Sequence, residues 1–361
     1  MFNKYITFVH IPSAHYMKFT TIQSKEIQSL IRYRKGEDRI GSKVQVLDER
    51  KDLSEQMLNS DSLFVVFGIP EDIGVRANFG RGGANTAFIP AIDSFLNQQS
   101  NAFFNGDNVA IAGALNVTDL MKRSEHLNPK IDSDLQTLRE LTAELDERVI
   151  ELVNLIITNN KIPVIIGGGH NNAYGNIVGA SKALQQKINV INCDPHADLR
   201  ALEGRHSGNG FSYAFKNESL HKYAVLGLHE QYNNTDALTY FTRLPQNFMY
   251  QTFEDIFVRE TTDLKTAFER CKNFVNDATC GIELDLDAIT NVPSSAKTSS
   301  GITSLNARQY VYSCGKDLNT LYLHIAEGAP VLAHRKADNK TGKLIAYLIT
   351  DFMKGVMAKR S

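Results

Sequence analysis

At 361 residues the chain is long enough for one large α/β domain, and 42% hydrophobic with 22% charged residues is the make-up of an ordinary soluble globular protein. Lys+Arg number 39 against 40 Asp+Glu, a formal net charge of -1, which gives no electrostatic reason to expect nucleic acid or an anionic membrane as partner. Cys193, Cys271, Cys280 and Cys314 are widely spaced with no CxxC pair, so zinc-finger and dithiol redox readings lack support and free thiols in a reducing compartment are expected.

The N-terminus, MFNKYITFVHIPSAHYMKF, has no cationic start followed by an apolar run and a small-residue cleavage site. No window approaches the roughly 18 apolar residues that a membrane helix needs, so a cytoplasmic protein is expected. Residues 1–60 say least: a polar helix near 22–34, then a charged stretch at 48–52. From there short apolar runs rich in branched residues alternate with longer stretches of helical period. Strands are expected at 63–67, 109–112, 163–166, 189–192, 223–226, 282–286 and 321–325, with a weaker one near Phe248. The clearest helix spans 134–159, where Leu135, Leu138, Leu145, Val149, Leu152 and Ile156 form one stripe. Further helices are expected at 171–185, 261–275, 305–318 and 341–357. Strand–helix alternation of this kind predicts a parallel sheet covered on both faces, with ligands at the carboxyl ends of the strands. No repeat, low-complexity tract or Pro/Gly-rich linker interrupts it. The expectation is therefore a single domain over 61–361 with 1–60 packed on it as an extension.

Three motifs sit at such strand ends. Ile165-Ile166-Gly167-Gly168-Gly169-His170-Asn171-Asn172 reads as strand, glycine turn and helix; Asn172 stands where a dinucleotide fingerprint starting at Gly167 needs its third glycine. In Asn192-Cys193-Asp194-Pro195-His196-Ala197-Asp198-Leu199-Arg200, the residues Asp194, His196 and Asp198 recur at period two, so an extended backbone aims all three one way. In Gly281-Ile282-Glu283-Leu284-Asp285-Leu286-Asp287 the two aspartates again share a face between apolar neighbours, where like charges call for a bound cation. Glu283 has the same parity but is left out of the ligand set, as either a third inward carboxylate or a strand-start surface residue. The blander readings are a polar turn capping a helix and a solvated edge strand; the Leu/Ile framing argues against the second. Two histidines and four aspartates without thiolate suit Mn²⁺ better than Zn²⁺. Four carboxylates against two divalent ions leave the site neutral, and a shared deprotonated water makes it net negative, ready for a cationic amidinium or guanidinium.

GGGH, the DPHAD segment, LDLD and the later Ala326-Glu327-Gly328-Ala329-Pro330 resemble, in order, the four signature blocks of the arginase/agmatinase/formimidoylglutamase (ureohydrolase) family, over roughly residues 60–357. The resemblance implies a three-layer αβα fold with a mostly parallel eight-stranded sheet and two Mn²⁺ per chain. It implies His170, Asp194, His196, Asp198, Asp285 and Asp287 as ligands, Asp198 also as proton carrier, and Glu327 as the partner of the substrate's amidine group. A homo-oligomer is implied too, trimers and hexamers being common.

Within the family the chain departs from arginases. Ser207-Gly208-Asn209 is similar to their Ser-Gly-Asn, which makes Asn209 a candidate substrate contact, but Phe211 stands where they place a proton-shuttling histidine. His206 is either a partial replacement for that shuttle or a loop histidine. Formimidoylglutamases are more similar, in the block around His206–Phe211, in Asp198-Leu199-Arg200 and in Gly68-Ile69-Pro70-Glu71-Asp72-Ile73-Gly74-Val75-Arg76. Arg200 carries a guanidinium fork suited to a substrate carboxylate, or else makes a structural ion pair. The expected reaction is N-formimidoyl-L-glutamate plus water to L-glutamate and formamide. The alternatives are another ureohydrolase releasing urea from guanidinobutyrate, arginine or agmatine, a zinc amide hydrolase of the similar deacetylase fold, and a metal-stabilised binding protein without catalysis. His324, where relatives often carry Asp, is a further departure.

Overall fold

The structure is a computed structural model that describes residues 19–20, 24–48, 51–333 and 339–360. The N-terminal segment 1–18 and part of the charged stretch at 48–52 therefore lie outside the described residues. Ten strands form one sheet: β1 (Phe19–Thr20), β2 (Gln45–Val46), β3 (Phe64–Gly68), β4 (Val109–Leu115), β5 (Ile162–Ile166), β6 (Ile188–Cys193), β7 (Leu220–Leu228), β8 (Phe248–Thr252), β9 (Cys280–Asp285) and β10 (Thr320–Ala326). Their order is β1-β4-β3-β5-β10-β9-β6-β7-β8, with β2 also pairing β4. From β3 to β10 all pairings are parallel, and these eight are the strands expected from sequence. The count of eight rises to ten because β1 and β2 both add to β4, β1 antiparallel and β2 parallel. A two-residue strand has no alternation to read; its partner creates it.

The pleat sends alternate residues to opposite faces, and both faces are dry. Phe64 and Val66 of β3, Val164 and Ile166 of β5, Ile282 and Leu284 of β9, and Leu323 and Ile325 of β10 join one core. The helices Phe88–Leu96, Leu264–Val275, Ser304–Asp317 and Lys340–Arg360 cover that core. Val65, Phe67, Ile165, Val190 and Tyr322 face the other core, under the helices Asp132–Thr158 and Asn172–Leu184. This is the expected three-layer αβα arrangement. The Asp132–Thr158 stripe buries Leu138, Leu145, Val149, Leu152 and Ile156, with Leu135 half-buried in the first turns.

The helix expected near 22–34 is Ser24–Leu30, ending earlier, with Ile27 and Leu30 on the core and Ile31 buried just beyond its end. Short helices such as Ile73–Ala77 and Gly210–Lys216 were not expected; five to seven residues hold too few turns to show a period. Ile27, Ile31 and Ile40 pack into the first core and Leu47 and Met57 into the second. Among the described residues no helix is long and apolar enough to cross a membrane.

Candidate metal centre

β5, β10, β9 and β6 are neighbours at the middle of the sheet, and each ends in one of the motifs. After β5 the chain turns through Gly167 and Gly168, both at positive φ, and delivers His170 ahead of the helix Asn172–Leu184. A Cβ on Gly168 would lie 2.4 Å from Asn172 Nδ2 and 3.0 Å from Glu71 Oε1, so only glycine closes this turn. The turn wraps the fully buried Glu71 carboxylate, which accepts from the backbone N–H groups of Gly169 (2.8 Å) and Ile73 (2.7 Å) and from Asn172 Nδ2 (2.6 Å). The Gly68–Arg76 segment thus anchors the histidine loop.

Beyond β6, Asp194 Oδ1 accepts from the N–H of His196 (2.7 Å) and Oδ2 from Asn192 Nδ2 (3.0 Å). Asp198 follows with φ +48. At the end of β9, Asp285 Oδ1 accepts from the N–H of Asp287 (2.6 Å), which pins both carboxylates in one tight turn. Glu327, at φ +63 after β10, accepts from the N–H of His170 at 2.9 Å.

The ligand-type atoms of His170, Asp194, Asp198 and Asp285 lie within 4.8 Å of one another, and so do those of His196, Asp285 and Asp287. His170 Nδ1 is 3.0 Å from both Asp194 and Asp198 and 3.4 Å from Asp285; His196 Nδ1 is 3.3 Å from Asp194. Two donor groups sharing Asp285, oxygen-rich with one imidazole each, fit two hard-to-borderline divalent ions such as Mn²⁺. Both ring nitrogens of His170 and Glu327 Oε2 are buried without a hydrogen-bond partner among the described residues, a cost that a ligand to these atoms would relieve.

The electrostatics agree. Burial pushes the carboxyls of Asp198, Asp285 and Asp287 up, with neighbouring aspartates adding to it. Burial likewise lifts Glu327, reinforced by Asp285 and Asp287. Burial also opposes charge on Asp194, but the His170 and His196 imidazoles overcome it and hold this carboxyl below its ordinary value. His196 is desolvated as well, yet Asp194 drives it up to about 10. Protein groups alone leave a crowd of carboxylates that hold protons or recruit imidazolium; divalent cations would replace those protons.

A cavity of about 450 Å³ opens above these residues, lined also by Glu327, Arg200, Asn78, Ser207 and Tyr232. Arg200 stands half-exposed in this lining, its Nη1 donating to Asn78 Oδ1 (3.0 Å) and its Nη2 lying 3.7 Å from Glu203. Asn209 is not brought to the cavity. It is fully buried, its Oδ1 accepting from Arg205 and its Nδ2 donating to Gly204 O (2.8 Å) and Ala201 O (3.2 Å). Arg205 in turn pairs with buried Asp146 and lies between the Tyr174 and Tyr213 rings. His206 is closed inside the same loop, its Nδ1 accepting from the N–H of Gly208 at 3.1 Å. Phe211 is buried edge-on against His170, with ring centroids 5.3 Å apart.

The sequence reading did not single out Asn78, Tyr232 or Tyr322. Tyr232 stacks between His196 (5.5 Å) and His229 (5.1 Å), and nothing in its loop sequence signals that. Glu283, held back from the ligand set, lies wholly buried 3.4 Å from His170 Nε2; its parity with Asp285 was the available clue.

A profile of the arginase family matches residues 62–354. The chain is 31% identical to a Streptococcus gordonii formimidoylglutamase over 180 residues, so it spans about half that relative's length: 47% of this chain and 48% of that protein. With a Streptococcus pyogenes formimidoylglutamase it shares 28% identity over 243 residues, 64% of this chain and 70% of the relative. In fold it is similar to the Bacillus subtilis formimidoylglutamase (TM-score 0.71, 17% identity, 90% of this chain and 94% of the other). It is also similar to Trypanosoma cruzi formiminoglutamase with Mn²⁺ (TM-score 0.65, 18% identity, 88% and 98%).

Proposed function

Because the chain belongs to the arginase family, we propose that it is a binuclear manganese hydrolase that converts N-formimidoyl-L-glutamate and water to L-glutamate and formamide. The observation that carries this reading is the convergence of two donor groups sharing Asp285 at a cavity that Glu327 and Arg200 also line. His170, Asp194, Asp198 and Asp285 would hold one ion, and His196, Asp285 and Asp287 with Asp194 the other. Two Mn²⁺ would supply Lewis acidity and a water acidic enough to serve as nucleophile near neutral pH.

The chain's own groups do the rest. Glu327 is anchored through Oε1 to the His170 N–H, which leaves the buried Oε2 to accept from the substrate's amidinium. Arg200, steadied by Asn78, binds a substrate carboxylate at the rim. Water oxygen bonds to the amidine carbon, and the bond from that carbon to the glutamate nitrogen breaks. Asp198 takes the proton from the attacking water and returns it to the leaving nitrogen. Phe211 offers no proton, so the carrier role falls on Asp198 rather than on a loop histidine, and His206 is shut away from the cavity. In the same reading residues 61–361 are the catalytic domain, the described part of the preceding 60 residues is an extension packed on it, and the protein is a cytoplasmic homo-oligomer.

The deciding experiment is a Mn²⁺-loaded substrate screen that measures formamide and urea. Formamide from formimidoylglutamate, faster than urea from guanidinobutyrate, arginine or agmatine, is the expected result. Faster urea release moves the assignment to another ureohydrolase. No product from any of them, in a protein that binds two ions, leaves the non-catalytic binding reading.

A further inference from the structure

The residues proposed as ligands leave one buried group beneath them unused. Glu283 lies one pleat below Asp285 on the same face of β9, and Cα pairing sets it directly across from His324 of β10. Tyr322, one pleat lower still on β10, stands opposite Gly281. A Cβ at Gly281 would lie 2.4 Å from the Tyr322 ring, so the missing side chain is what lets that ring lean across the strand. Its hydroxyl then donates to Glu283 Oε1 at 2.9 Å. Glu283 Oε2 is 2.6 Å from His324 Nδ1, and the other nitrogen of His324 faces Gly167 O at 3.3 Å. Glu283, His324 and Tyr322 are all fully buried.

The same Oε2 lies 3.4 Å from His170 Nε2. That is longer than a formed hydrogen bond, and the nitrogen has no hydrogen-bond partner among the described residues. The opposite nitrogen, Nδ1, faces Asp194, Asp198 and Asp285. An imidazole that binds a cation through one nitrogen carries its proton on the other and needs an acceptor there, which sets ring orientation and donor strength. Phe211, edge-on to the ring at 90°, closes the remaining side.

We infer that Glu283 is a positioning residue that, braced by His324 and Tyr322, receives the His170 Nε2–H and holds Nδ1 toward the metal ions. The inference rests on the binuclear reading above. The trio His170, Glu283 and His324 also has the donor types of a third metal site. The direct contact between His324 and Glu283, with Gly167 O and Tyr322 O–H at the remaining atoms, makes it a hydrogen-bonded brace instead.

The test reads metal occupancy rather than turnover. Mn²⁺ binding to the full chain is measured by equilibrium dialysis with elemental analysis, alongside electron paramagnetic resonance of the loaded protein. Wild type should bind two ions in two steps and show a spin-coupled pair. Glu283→Gln should weaken one step by roughly ten- to a hundredfold and leave the other within about threefold, with the hyperfine pattern of isolated Mn²⁺ appearing at intermediate loading. Tyr322→Phe should weaken the same step less. A general loss of structure would move both steps together. Unchanged binding in a folded Glu283→Gln overturns the inference while the two-ion reading stands. A third ion per wild-type chain, lost in that variant, overturns it in favour of a metal site. Fewer than two ions in wild type overturns both readings. If Glu283→Gln does not fold, His324→Gln and Tyr322→Phe decide, and unaltered steps in both overturn it.

Discussion

The floor and the wall of the cavity are built on different principles. The floor comes from the short turns that follow adjacent strand ends, not from an extended backbone, and His170, Asp194, His196, Asp198, Asp285 and Asp287 all arrive together there. Part of the wall is the loop after Asp198, alongside Asn78, Tyr232 and Ala296 from other loops. Of Arg200, His206, Asn209 and Phe211, Arg200 alone lines the cavity; the other three hold the loop or the core. Chemistry on strand ends tolerates variation around it, whereas substrate choice depends on the path of a loop.

The sharpest way to break this contrast is to empty the floor. Chelation should reduce activity to background, and Mn²⁺ should restore it better than Zn²⁺. Asp285→Asn, which removes the carboxylate common to both donor groups, should prevent restoration and lower metal content in elemental analysis. Full turnover by the chelated protein would detach function from the floor altogether. Next in size, Asp198→Asn should lower kcat by at least about 10²-fold, the lower range for losing general acid–base help. Near-normal kcat with intact metal content would remove Asp198 from both of its roles.

On the wall the effects are smaller and selective. Arg200→Met should cost about 1.5–3 kcal/mol, or roughly ten- to a hundredfold in kcat/KM on formimidoylglutamate. A substrate without carboxylates should barely respond, and an equal loss on both would make Arg200 a structural residue. The smallest effect is on stability. Burial, with Arg200 and Arg139 adding, depresses His206 from its ordinary 6.5 to about 3. As pH falls through 6.5 toward 3 the unfolded chain takes up a proton that the folded chain refuses, so stability falls across that window. Asn at position 206 keeps an acceptor for the Gly208 N–H without a titrating group, and His206→Asn should flatten the slope of thermal midpoint against pH. An unchanged slope would mean that the loop opens before His206 is protonated.

Most of the eight strands were legible as short branched runs buried on both faces, while β8, with Tyr250 exposed at the sheet edge, gave the weaker signal. The spacing of two marked the clustered aspartates and histidine, but tight turns rather than an extended backbone bring them together: Asp198 has φ +48 and Asp287 lies in a short 3-10 turn. Arg200, close behind a strand end, lines the cavity. Asn209 does not. Its Ser-Gly-Asn neighbourhood matches a substrate-binding pattern, but Arg205, anchored on distant Asp146, draws the amide inward. Such a partner lies 59 residues away and leaves no local trace. Glu283 shows a different gap: its parity was visible, while its acceptor role depended on His324 and Tyr322 from the next strand.

The sheet order also bears on how the protein is made. Among the described strands β10 is the last synthesised, yet it lies between β5 and β9. Until residues 320–326 leave the ribosome, those two strands have no neighbour on their inner edges, and the two halves of the sheet remain unjoined. The nascent chain therefore carries an open β5 edge from Ile166 onward, joined by an open β9 edge once Asp285 is made, until β10 closes both, the kind of surface that chaperones cover and aggregates exploit. A chain stopped before β10 would lack Glu327 and would also leave the Asp194 and His170 loops without the strand that sets their separation.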